Sequence, residues 1–76
     1  MMKEQFLYPR TSYHGKLTPD NLIFNANLQE FSQKVSVISA LETNGKITPL
    51  ESYNRIKNLW EELHRIRQGL DIQDSA

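Results

Sequence analysis

Behind Thr48-Pro49-Leu50-Glu51, large apolar side chains recur at Ile56, Leu59, Leu63, Ile66 and Leu70, in steps of three and four. That spacing lines one face of a helix and would scatter over both faces of a strand. This half of the chain is therefore an amphipathic helix, and its apolar face needs something to bury it. The start signal agrees: Thr48 reads as the N-cap and Pro49 as the first helical residue. Glu51 stands where its carboxylate can reach back to the cap's N–H. Gly69 stands where a left-handed C-cap would end the helix. The predicted span is about 49–68, with Tyr53 and Trp60 widening the stripe on one flank and Trp60 read as a packing anchor.

The same start signal occurs once before. Gly15-Lys16-Leu17-Thr18-Pro19 echoes Gly45-Lys46-Ile47-Thr48-Pro49, but the apolar registers diverge downstream. Shared cap chemistry explains the echo without a duplication. Phe24, Leu28, Phe31, Val35 and Ile38 then alternate by four and three, with Ile23 and Leu41 broadening the face. The spacing predicts a first helix over about 19–43. Asn25 and Asn27 compete with the backbone for hydrogen bonds, so a kink or break near 25–27 is allowed for. Asn44-Gly45 supplies a left-handed C-cap. So short a connection makes the helices antiparallel neighbours. The fold class is all-α, an antiparallel two-helix hairpin over 18–69.

Residues 1–17 show no periodicity yet carry Phe6, Leu7, Tyr8, Tyr13 and Leu17. They are read as an extended N-terminal arm packed on the hairpin, and 70–76 as a frayed C-terminal tail. Two helices cannot cover their own broad apolar faces. Either the arm closes the third side, or a second copy does so as a homodimeric four-helix bundle. The arm is favoured because it costs no association entropy.

Composition excludes several classes. A chain of 76 residues buries only ~60% of its unfolded surface, so its core is marginal. Nine basic side chains balance nine acidic ones, removing any global attraction to nucleic acid or anionic membranes. No cysteine is present to make a disulfide or a thiolate zinc site. No apolar run approaches the ~20 residues of a membrane span, and Met1-Met2-Lys3-Glu4-Gln5 lacks a signal peptide's apolar core. The expected setting is cytoplasmic.

Catalysis finds no foothold. Nucleophilic chemistry needs a Ser or Cys beside an oriented base, and His14 and His64 lie in no recognisable motif. The three glycines each suit a turn or cap, so no phosphate loop exists. Glu61 and His64 have the i,i+3 spacing of di-iron carboxylate bundles, but the other helix offers no matching carboxylates. No catalytic residue, cofactor or metal is assigned, and an enzyme is not expected. For nucleic acid, Arg55, Lys57, Arg65 and Arg67 are interleaved with Glu51, Glu61 and Glu62. The i,i+4 pairs Glu51–Arg55, Lys57–Glu61 and Glu61–Arg65 describe a solvated face, which disfavours a nucleic-acid-binding regulator as the second reading.

The better lead is a protein partner. Tyr and Arg are frequent interface anchors. Tyr8 is read as completing the core, while Arg10, Tyr13 and His14 are candidate partner contacts. Asn25 and Asn27 join them, because asparagine within a helix needs compensation. The expected role is a small non-catalytic protein–protein interaction module, an assembly or regulatory factor. Tyr8-Pro9-Arg10, Leu17-Thr18-Pro19-Asp20-Asn21-Leu22, the run from Phe24 through Asn25-Ala26-Asn27 to Phe31, and Leu41-Glu42-Thr43-Asn44-Gly45-Lys46 resemble a family of small cyanobacterial proteins with plastid relatives. The likeness spans about Phe6 to Ile66 and brings no activity, cofactor or catalytic residue with it. It implies a bacterial-type cytosol or a photosynthetic organelle.

Overall fold

The computed structural model describes residues 17–73. Two helices make up the fold, α1 (Pro19–Thr43) and α2 (Pro49–Gln68), and they pack against each other as an antiparallel hairpin. Among the described residues there is no strand. The arm contacts read from Arg10, Tyr13 and His14 lie outside the described residues.

Both helices begin as their Thr-Pro signals require. The Thr18 hydroxyl accepts from the Asn21 backbone N–H at 3.1 Å, and Thr48 accepts from Glu51 at 3.0 Å. Each bond satisfies a donor that the first helical turn leaves without an intrahelical partner. The second half of the expected capping box does not form. The Glu51 carboxylate turns instead to Arg55, one turn on, at 3.0 Å. A full positive charge competes better for a carboxylate than a neutral N–H does.

The helix ends differ from each other. After α1, Gly45 takes φ +75°. Its N–H donates to the Glu42 carbonyl at 3.0 Å, and the Lys46 N–H reaches the Leu41 carbonyl at 2.8 Å. This pair of bonds is the Schellman closure, and it needs the left-handed residue. Gly69 was expected to do the same and does not: it stays right-handed at φ −86°, ψ −1°. There α2 closes through Gly69 N–H to Ile66 and Leu70 N–H to Arg67, at 3.1 and 3.2 Å. These tighter bonds satisfy the last carbonyls without reversing the backbone.

α1 runs unbroken through Asn25 and Asn27. The Asn27 side-chain amide donates to the Ile23 carbonyl one turn back, at 2.9 Å. The competition that asparagine brings is thus spent on a local bond that the helix tolerates.

The seam between the helices is thin. Among the described residues, Ile38 and Leu63 are the buried apolar ones, at 8% and 5% exposure. Phe24, Phe31, Val35 and Leu41 from α1, and Ile56, Leu59 and Ile66 from α2, are half-buried around them. The third buried residue is polar: Asn21, at 5%. Its amide donates to the Gln73 carbonyl at 2.6 Å while its carbonyl oxygen accepts from the Gln73 N–H at 2.9 Å. Beside it the Asp20 carboxylate accepts the Asp71 N–H at 2.7 Å. Residues 70–73, read as part of a frayed tail, leave helical structure but return across the start of α1. The start of α1 holds them there by their backbone.

Candidate protein-interaction site

α2 presents a line of exposed side chains beside its buried seam. Tyr53, Trp60 and Arg67 recur every seven residues, with Lys57 and His64 between them, and all five are exposed. Seven residues are nearly two full turns, so such positions stack along one line with a drift of only ~20° per repeat. Trp60 lies about 60° around the helix from buried Leu63, at roughly 100° per residue. The stripe therefore borders the seam and does not face away from it.

The aromatic groups hold each other in place. Trp60 meets Phe31 of α1 edge-on, ring centres 6.4 Å apart at 64°, and stacks with His64 at 6.4 Å and 28°. Aromatic pairs favour both geometries, so the indole is oriented and not merely exposed. Even so, Trp60 remains 55% exposed and Tyr53 64%. The packing role expected for Trp60 is thus only half of what it does. Its other half is to present an ordered aromatic surface. The seven-residue spacing was legible in the sequence; the exposure was not.

Of the expected contacts on α1, Asn25 and Asn27 do not share a face. They stand about 200° apart around the helix. Asn27 lines a small depression with Glu30, Phe31, Lys34, Leu59, Glu62, Leu63 and Ile66, on the face away from Tyr53 and Trp60. Asn25, half-buried, falls on the Trp60 side together with Leu28. Farther toward the turn, the Asn27 face opens into an apolar hollow of about 390 Å³ floored by Val37, Ile38, Leu41 and Leu59. Lys34 and Arg55 rim it, and each is paired along its own helix, to Glu30 at 3.2 Å and Glu51 at 3.0 Å.

The charges around α2 do not gather. Relative to Arg55, the cations Lys57, Arg65 and Arg67 fall at about 200°, 280° and 120°, so the four surround the helix. Of the three expected i,i+4 pairs, Glu51–Arg55 closes; Lys57–Glu61 and Glu61–Arg65 do not close within ion-pair distance among the described residues. Among the described residues no three His, Asp or Glu side chains gather as a metal site would require. His64 gives its ring to Trp60 instead.

A family model matches residues 17–76, a span that includes the whole hairpin, and describes a family of unknown function (DUF7219). The chain belongs to this family. The matched unit of DUF7219 begins at Leu17, whereas the likeness read from the sequence began near Phe6. Neither the curated proteins nor the solved structures hold a match to the chain. Among the described residues no helix is long and apolar enough to cross a membrane.

Proposed function

We propose that this DUF7219 hairpin is a non-catalytic protein–protein interaction module, an assembly or regulatory factor. The observation that carries the reading is the Tyr53–Trp60 surface: two large aromatics, each more than half exposed, on a rigid helix. Aromatic and Arg side chains are the usual anchors of interfaces, and Arg67 continues the line. The arm residues Arg10, Tyr13 and His14, and Asn25 on the same side as Trp60, are further contacts of the same kind. The resemblance to small cyanobacterial proteins supports a cytoplasmic or plastid setting.

Recovery of a partner from the native organism tests this, with the wild-type chain as bait beside two variants. Tyr53→Ala removes an exposed anchor, and Arg10→Ala with His14→Ala removes the arm contacts. Each should fold normally, shifting stability by less than ~0.5 kcal/mol as surface changes usually do. Each should weaken recovery of the same partner about tenfold. Undiminished recovery with both variants overturns the reading. The second reading, a nucleic-acid-binding regulator, is disfavoured by the dispersed cations. Salt-sensitive retention on nucleic acid, lost on replacing Arg55, Arg65 and Arg67, would restore it.

A further inference from the structure

We propose that the aromatic stripe of α2 docks a second copy of this chain, antiparallel, about a two-fold axis beside Trp60. The inference rests on the interaction reading above and names the occupant of that surface. Among the described residues the hairpin's seam buries Ile38 and Leu63 as the apolar core, and no cysteine staples the chain. Scaffolds below ~70–80 residues rarely stand on so small a core, and oligomerisation is one of the usual remedies.

The chemistry of the stripe identifies the second copy. Tyr53 and Arg67 stand seven residues before and seven after Trp60. A two-fold axis beside Trp60 sets each position against the one equally far on its other side. Tyr53 of each copy then meets Arg67 of the other, making two guanidinium–ring contacts per dimer, with the two indoles at the centre. A parallel pairing would instead oppose Arg67 to Arg67 and Lys57 to Lys57. The antiparallel arrangement also lays the positive end of each helix dipole beside the negative end of its neighbour.

The dimensions are adequate. The face is two helices wide, ~20 Å, and as long as α2, ~30 Å. About 600 Å² per copy lies at the lower edge of specific interfaces, so the dimer is reversible and depends on concentration.

Sedimentation velocity of the full chain over a range of concentrations tests the proposal, with circular dichroism to verify folding. The wild type should pass from monomer to dimer. Trp60, the sole tryptophan, should shift its emission to the blue over the same range. Arg67→Glu should move the midpoint at least tenfold higher in concentration. The double variant Tyr53→Arg, Arg67→Glu should move it back, by a cross-copy Arg–Glu pair. Within one chain these positions are ~21 Å apart, so no internal contact can produce that rescue. A monomer at every concentration, a dimer indifferent to Arg67→Glu, or a double variant no better than the single overturns the proposal. A monomer that still loses its recovered partner on Tyr53→Ala overturns the dimer and leaves the interaction role intact.

Discussion

Gly45 stands one residue past the C-cap of α1 and Gly69 is itself the C-cap of α2, and only the first needs to be glycine. Gly45 is left-handed at φ +75°, where a Cβ clashes with its own backbone. Gly45→Ala should therefore lower stability by about 1–2 kcal/mol, measured by chemical denaturation. At Gly69 a Cβ would meet only the Ile66 and Arg65 carbonyls, at 3.7 and 3.9 Å, in ordinary contact. Gly69→Ala should be neutral or stabilise by up to about 1 kcal/mol, because it restricts the unfolded chain. A loss equal to that at Gly45 would mean that Gly69 turns left-handed in solution. Asn21 is the residue whose weight the sequence hides most. Its two bonds to the Gln73 backbone are part-buried, and Asn21→Ala should cost about 1–2 kcal/mol by leaving them unmade. Amide exchange should show Gln73 losing protection in that variant; unchanged protection would mean the clasp is not what holds the tail.

At the scale of the helices, the start signals behave alike and the surfaces do not. Replacing Thr48 by Ala should cost ~1 kcal/mol, since its hydroxyl caps the Glu51 N–H. An unchanged denaturation midpoint would show that bond to be redundant. α2 sorts its residues well: Ile56, Leu59, Leu63 and Ile66 turn inward, and charges occupy much of the rest. α1 sorts them poorly, with only Asp20, Glu30, Lys34 and Glu42 charged in 25 residues. Leu22, Ile23 and Val37 are exposed on it. Ile23, read as broadening the buried face, is on the outside because a single neighbouring helix can cover only one stripe of α1. Asn27 is a local matter. Exchanging it for Ala removes a side-chain bond to Ile23 but gains helix propensity, so stability should change by less than ~0.7 kcal/mol.

At the scale of the whole molecule, the decisive quantity is how little the described residues bury. Leu63→Ala removes a core side chain and should cost about 2–5 kcal/mol. That is comparable with the entire stability such a small domain can hold. Loss of the helical signal at ambient temperature is the expected result, read by circular dichroism. If the two-fold dimer forms, raising the concentration should recover part of that signal, because association stabilises the folded state by mass action. Recovery that fails in Leu63→Ala with Arg67→Glu would tie it to the same interface.

Much of this hairpin was legible in the chain itself. Helix starts at Thr18 and Thr48, the glycine turn at Gly45, the unbroken period on α2 and the antiparallel pairing all follow from local chemistry. Backbone donors at a helix start and a positive φ at its end concern residues within one turn of each other. What the tertiary structure alone decided involves residues far apart in sequence. The Asn21–Gln73 clasp joins positions 52 apart, and no local pattern marks such a pair. The separation of Asn25 from Asn27 onto opposite faces became meaningful only once α2 chose which side of α1 to cover. The exposure of Tyr53 and Trp60 has the same origin. Periodicity places a side chain on a helix face, but whether that face is covered depends on how much neighbouring structure exists to cover it. Here two helices leave the aromatic flank open.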